Sequence, residues 1–331
     1  MTSRICLIAW LLFAACWSCH AATFELNGYQ DEDGAITVTY HGDYVDPYFA
    51  TRALLTARDS GLNIELAARA WIGWLLPKQE SNGLFKRFCK QESGAWYGCK
   101  DADADDALLA MWLELLYVVA PADGFPSEWR NSAKLADLQL RRLLDKKTGV
   151  YFVSITNPVG LFMDNVEIYA ALRSIGNEQQ RIREMVAAKA TLKQSDQLRR
   201  NILRVFRPTG SGLFRVSTQA VEPTRFYPEE VAQIYPWLYR METDGTDTRS
   251  LFQAWLQAHG RDWLNQKKDQ FPWGLVALTA HVLGDVNSAL CWQQRAAPLR
   301  YSQRWNVLEE AAFQSILRPD PVVIIPCQGL E

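Results

Sequence analysis

The stretch KDADADDALLAMWLELLY (residues 100–117) sets four carboxylates, Asp101, Asp103, Asp105 and Asp106, at the front of a run that is apolar on every side. One Asp at a helix start is ordinary, because it caps orphan N–H groups and sits at the positive end of the helix dipole. Four at this spacing repel one another, so at least one should hold its proton more tightly than usual unless a cation or a hydroxyl network lies among them. Raised and unraised carboxylates side by side are what general acid and base chemistry requires. Three readings compete: an over-supplied cap, a hard-cation loop, and carbohydrate or cyclisation chemistry. The D-x-D-x-D spacing resembles the start of a calcium loop, but the glycine and the distal Glu of an EF-hand are missing.

Outward from this stretch, helical patterns of two kinds alternate. The first kind is short, apolar nearly all round, and opened by an acid, a proline or an aromatic residue: Asp46 to Arg58, Asp105 to Tyr117, Asp164 to Ile175, Pro228 to Met241, Pro272 to Leu283 and Asn306 to Leu317. The second is amphipathic and charged: Asn63 to Leu76, Ser127 to Leu144, Glu178 to Val205, Asp247 to Leu264 and Asn287 to Ala296. A helix apolar all round must be enclosed by others, whereas an amphipathic one can face water. The alternation therefore predicts an inner ring wrapped by an outer one, an all-α (α/α)6 toroid over residues 46–331. Three connections, SNGLFKRF (81–88), KTGVYFVS (147–154) and GSGLFRVS (210–217), share Gly, an aliphatic and then an aromatic residue, as repeated helical hairpins would. Each glycine is expected to turn the chain with positive φ. Before the first inner helix, TFELNGYQ and AITVTYHG alternate around DEDG and predict a short β-hairpin over residues 22–45.

Composition bounds the partners and the compartment. The 331 residues are 48% hydrophobic, enough for one large core, and the net charge of −2 leaves no basic excess for phosphate contacts, so no nucleic acid is expected. Arg4, an apolar stretch from Cys6 to Trp17 and small residues before Ala21 predict a signal peptide over residues 1–21, too short to span a bilayer. Its removal takes three of the seven cysteines. The four that remain pair by proximity as Cys89 with Cys99 and Cys291 with Cys327, in keeping with a periplasmic or secreted protein without a transmembrane segment. His41, His259 and His281 lack metal-ligand spacing, and no P-loop, G-x-G-x-x-G or G-x-S-x-G string occurs, so neither metal nor cofactor is expected.

At this point the chain resembles the six-hairpin (α/α) toroid glycosidases, and within them the bacterial family-eight cellulases and chitosanases. The second inner helix of that family opens with Ser/Thr-Asp-Gly-Asp before an Ala/Leu-rich run, matched here by Ala102-Asp103-Ala104-Asp105 and DALLAMWLELL. The resemblance implies that Asp103 binds or orients the sugar at the point of cleavage. It also implies an acid on the first inner helix, where this chain has Asp46 before Pro47, and a base on a later one, with Asp164, Glu167 and Glu230 as candidates. Asp103 to Asp106 also resembles the DxDD signature of class II terpene cyclases, in which the middle Asp, here Asp105, would protonate an alkene.

The expectation is an exported polysaccharide-active protein, an inverting glycoside hydrolase or a non-catalytic glycan-binding factor working with exopolysaccharide synthesis and export machinery. Asp46, Asp105, Asp164 and Glu230 are its candidate catalytic acids. Asp103, Asp106, Glu167, Tyr44, Trp96, Tyr97, Tyr227, Trp273 and Trp305 are its candidate sugar-binding residues, the aromatics because they lie in polar loops before inner helices and can stack on sugar rings. A polysaccharide lyase would instead use His41, Tyr44 and Arg52.

Overall fold

The computed structural model of the chain describes residues 21–207, 213–219, 225–243, 247–266, 269–316 and 327. The signal-peptide reading and the Gly210–Gly212 end of the third repeated connection lie outside them.

Helices dominate. The apolar set comprises α1 (Pro47–Asp59), α3 (Asp105–Val119), α5 (Phe162–Arg181), α7 (Tyr235–Leu238), α9 (Gly274–Val282) and α11 (Val307–Ser315). Between them run α2 (Glu65–Leu75), α4 (Arg130–Leu143), α6 (Met185–Phe206), α8 (Thr248–Asn265) and α10 (Val286–Ala296). In the apolar set α1 packs on α3, α3 on α5, α5 on α7, α7 on α9, α9 on α11, and α11 returns to α1. That closed circuit is the inner ring, and α2, α4, α6 and α10 lie against its outer side.

Local chemistry starts and joins these helices. Asp46 caps α1 by accepting the Tyr48 N–H, with Pro47 in the first turn where its missing donor costs nothing. Asp247, Asp285 and Asn306 cap α8, α10 and α11 in the same way. Buried tryptophans tie outer helices to inner ones: Trp71 of α2 donates to Thr51 of α1, and Trp112 of α3 donates to Ser132 of α4. Each bond satisfies an indole N–H that burial would otherwise leave costly. Two of the repeated connections turn on left-handed glycines, Gly83 at φ 92° and Gly149 at φ 73°. A Cβ on Gly83 would lie 2.7 Å from the Leu135 carbonyl oxygen, so its turn needs both the conformation and the missing side chain.

The sheet is not where alternation placed it. Ahead of Tyr44–Val45, residues 22–43 pair with one another only at an isolated bridge, Gln30 to Ile36, and otherwise reach outward, Thr23 to Asn63 and Thr39 to Asn306. Phe24, Leu26, Tyr29 and Ile36 are buried in the core, so this segment spends its apolar positions on the helical body rather than on a second strand. The antiparallel sheet is instead β1 (Tyr44–Val45), β2 (Lys86–Lys90) and β3 (Trp96–Asp101), in that order. Cys89 and Cys99 join β2 to β3, and Cys291 of α10 joins Cys327. The fold is therefore helical with a small sheet, its first strand just ahead of α1 and the other two between α2 and α3. No helix among the described residues is long and apolar enough to cross a membrane.

Candidate active site

Asp103 is the centre of the acidic mouth. It lies in the turn before α3, and its charge acts on Tyr44 of β1, on Asp46 at the start of α1, on Asp164 in the first turn of α5 and on Tyr227 ahead of α7. Three other segments of the chain thus meet around one carboxylate because each inner helix of this group presents its N-terminus to the same end of the ring. The mouth gathers Asp46, Asp103, Asp106 and Asp164, with Glu167 one turn deeper on α5.

The acids sit in different environments. Asp46 is 6% exposed; its Oδ1 accepts the Tyr48 N–H at 3.0 Å and Arg87 stands 3.9 Å from Oδ2. Burial lifts it to about 6 against the pull of that N–H and of Arg87. Asp164, 7% exposed, is lifted to about 7 by burial and then by Glu167, with Arg52 opposing, and its Oδ2 is buried without a hydrogen-bond partner among the described residues. Asp106 is wholly buried, both of its oxygens lack partners among the described residues, and burial with the neighbouring Asp164 pushes it well above the carboxylate range. Unpaired buried oxygens of this kind are costly, and they gather where a ligand would complete the set.

A buried ion pair forms the floor. Arg52 of α1 contacts Glu167 at 2.6 Å, with side chains 4% and 1% exposed. The Tyr48 hydroxyl bonds both Glu167 oxygens and also accepts from Arg52, whose guanidinium lies 5.1 Å from the Tyr235 ring centroid. Burial still lifts Glu167, opposed by Arg52 and Tyr48. Beyond the pair, toward the C-terminal ends of the same helices, a cavity of about 670 Å3 opens past Arg58, Asp59, Glu114 and Ser174. There Arg58 bridges Glu114 and Asp59, and burial with the Asp59 charge lifts Glu114 to about 7.

One wall is aromatic. Tyr227 and Trp273 stack with ring centroids 4.8 Å apart and planes at 27°. Tyr227 is 45% exposed, and burial of its hydroxyl followed by the charge of Asp164 lifts it to about 12.

Other expected residues stand elsewhere. Asp105 opens α3 next to Asp106, but its charged neighbours are Asp101 and Glu80, and burial with those charges lifts it to about 6. Successive helical residues point about 100° apart, so only one of the pair can face the ring axis. The proton donor of the DxDD resemblance is thus turned from the mouth. Glu230 lies 3.1 Å from His259 Nδ1 in a separate cavity of about 550 Å3. Trp305 is fully buried, donating to Glu310 and stacked on Trp292, because core packing claims it. Trp96 donates to Asp31 and packs its edge on Trp74, on the sheet side of the molecule. Tyr97 is 47% exposed on β3. Of the lyase trio, Tyr44 belongs to the Asp46 group, Arg52 is committed to Glu167, and His41 packs on Tyr40.

Tyr48, Arg87 and the partnership of Arg52 with Glu167 were not legible from motifs. The usable signal was an Arg four residues after a Tyr inside an otherwise apolar helix, since a buried guanidinium demands an acid. Among the described residues no group of His, Cys, Asp and Glu is arranged to hold a metal ion.

No protein-family model matches the chain, and no curated protein matches it in sequence. Solved structures do match in fold. A novel alpha-amylase from Clostridium perfringens is 10% identical, with 87% of this chain and 93% of that one covered and a TM-score of 0.59. A glycosidase variant is 13% identical over 88% and 92%, at a TM-score of 0.57. A D-mannose isomerase is 11% identical over 88% and 94%, at 0.55. The chain is similar to these in helical architecture, and an isomerase among them means that the fold alone does not fix a reaction.

Proposed function

We propose that the chain is an exported glycoside hydrolase built as a six-hairpin toroid, acting on an oligo- or polysaccharide by inversion at the Asp46–Asp164 mouth. The single observation that carries this reading is the convergence of Asp46, Asp103, Asp106 and Asp164 around one opening, with oxygens left unpaired beside an aromatic wall. The glycosidases among its structural neighbours support it, as do the two disulfides, which suit an oxidising compartment.

The environments suggest the division of labour. Asp164 is the acid that burial keeps protonated near neutrality, and its unpaired oxygen is free to donate to the leaving glycosidic oxygen. Asp46, drawn toward the carboxylate by the Tyr48 N–H and Arg87, is the base that takes a proton from the attacking water. This reverses the order that the family resemblance implied. Asp103 and Asp106 hold sugar hydroxyls, and Tyr227 with Trp273 covers an apolar ring face. Water adds at the anomeric carbon as the glycosidic bond breaks, its proton going to Asp46 while that of Asp164 leaves with the alcohol.

The test separates acid from base. D164N should lose activity on a polymer by roughly 10²–10⁴-fold yet retain it on glycosyl fluorides, whose leaving group needs no proton. D46N should lose both. Equal loss of both substrates in D164N, with D46N active on the fluoride, would overturn the assignment.

A further inference from the structure

We infer that Glu309, although it belongs to α11 and is bonded to none of the mouth acids, is the positioning residue that holds Trp273 in place and so sets how tightly the site grips a sugar ring. The inference rests on the glycan reading for its functional half only. Trp273 is one of few non-glycine residues in the left-handed region, at φ 56° and ψ 61°, and Gly274 after it begins α9. A left-handed residue followed by a right-handed one turns two successive N–H groups toward a single point, a concavity suited to a group with two acceptor oxygens. Glu309 fills it: Oε1 accepts the Trp273 N–H at 3.1 Å and Oε2 the Gly274 N–H at 2.6 Å.

The fit is close on every side. Glu309 is 5% exposed, and a Cβ on Gly274 would come within 2.5 Å of Ala312 Cβ, 2.8 Å of Glu309 Oε2 and 2.9 Å of Trp292 Cη2. Glycine is therefore required for the two amides to reach the Glu309 oxygens. Without that acceptor, two N–H groups in the core lose their partner and the backbone of Trp273 loses what offsets its strained conformation. The indole would leave its stack on Tyr227, the hydroxyl of which lies in the field of Asp164 and Asp103. Glu309 thus acts on the mouth through Trp273 and then Tyr227.

Two variants and two readouts test this. E309Q turns one acceptor into a donor facing an N–H, and E309A removes both acceptors; thermal melts establish that each is folded. In the first readout the chain is labelled with 5-fluorotryptophan, and the Trp273 resonance is assigned by its loss in W273F. The expected result is that this resonance moves or broadens in both Glu309 variants; an unchanged resonance overturns the positioning role whatever the protein binds. In the second, binding of cello-, xylo- and glucosamine hexasaccharides is measured for wild type, E309Q, W273A and the double variant. We expect E309Q to weaken the hexasaccharide that wild type binds by about tenfold and to add nothing on top of W273A, with kcat changed less than twofold. Additive losses, or full affinity in E309Q, overturn the functional half. Failure of wild type to bind any of the three defeats the glycan reading and with it that half, while the resonance still judges the positioning.

Discussion

Replacing Arg52 by Met removes the one cation in contact with Glu167 among the described residues and keeps most of the volume. The two side chains are nearly sealed from water, at 4% and 1% exposure and 2.6 Å apart. Glu167 would be left as a buried acid among Tyr48 and Asp164, and it would take up a proton rather than stay charged. Carrying that proton at pH 7 means holding it 2.5 pH units above the ordinary value of 4.5, which at 1.36 kcal/mol per unit costs about 3.4 kcal/mol. At pH 5 the same arithmetic gives about 0.7 kcal/mol. These are upper figures, because burial already lifts Glu167 in the wild type. The sign follows from linkage: the folded-state pKa of Glu167 in R52M lies above its unfolded value, so the stability it contributes is fully present below 4.5 and is lost as pH rises. Urea unfolding followed by tryptophan fluorescence at pH 5 and pH 7 reads the difference directly. R52M should be much more destabilised at pH 7 than at pH 5, and E167Q introduced into R52M should restore most of the pH 7 loss. A deficit equal at the two pH values, or no recovery in the double variant, would refute the reasoning.

Three further outcomes are expected. The kcat/KM profile should be a narrow bell, falling below about pH 6 as Asp46 gains its proton and above about pH 7 as Asp164 loses its own; a flat profile from pH 5 to 8 would count against the pair. Cys291 and Cys327 close a separation of 36 residues and Cys89 and Cys99 one of 10, so chain entropy makes loss of the first cost about 3.8 kcal/mol and of the second about 2.7 kcal/mol; urea midpoints of C327S and C99S should rank in that order. Glu114, lifted to about 7 by burial and the Asp59 charge, contributes stability that is present below its ordinary 4.5 and lost as pH rises through 7. E114Q should therefore gain about 2–3 kcal/mol relative to wild type between pH 5 and pH 8.5, short of the linkage limit of about 3.4 kcal/mol, in the same unfolding assay.

Much of the helical plan is legible in the sequence because period and solvation agree. The expected Asn63–Leu76, Asp105–Tyr117 and Asp247–Leu264 become α2, α3 and α8 with ends shifted by a residue or two. The weakest of the inner helices is α7, where the expected Pro228 to Met241 resolves into a wide turn at Phe226–Glu230 and one helical turn at Tyr235–Leu238. Pro228 and Pro236 lack the N–H groups a continuous helix would need there. Strands β2 and β3 escaped notice because Lys86, Arg87, Lys90 and Lys100 leave no alternating apolar face: Phe88 alone among their side chains is buried, and the ladder and a disulfide join them. Asp46, Asp103, Asp106, Asp164, Glu167, Tyr227 and Trp273, singled out for their shared place before or within inner helices, form the candidate mouth. Asp105 is not part of it, because a sequence gives the order of residues around a helix but not its rotation about its own axis, and Trp305, in the loop ahead of α11, is taken into the core against Trp292; Glu230, Trp96 and Tyr97 also stand apart. Arg87 was invisible for a different reason: it reaches Asp46 across a sheet that the pattern does not announce.

The most direct test of the acidic mouth is the release of new reducing ends from β-glucan, xylan and a glucosamine polymer by the wild-type chain, D46N and D164N between pH 6 and 7. The mouth described here predicts turnover of at least one polymer by the wild type and its loss in both variants. Absence of turnover by the wild type on all three, or hydrolysis at the wild-type rate by D46N or D164N, would contradict it.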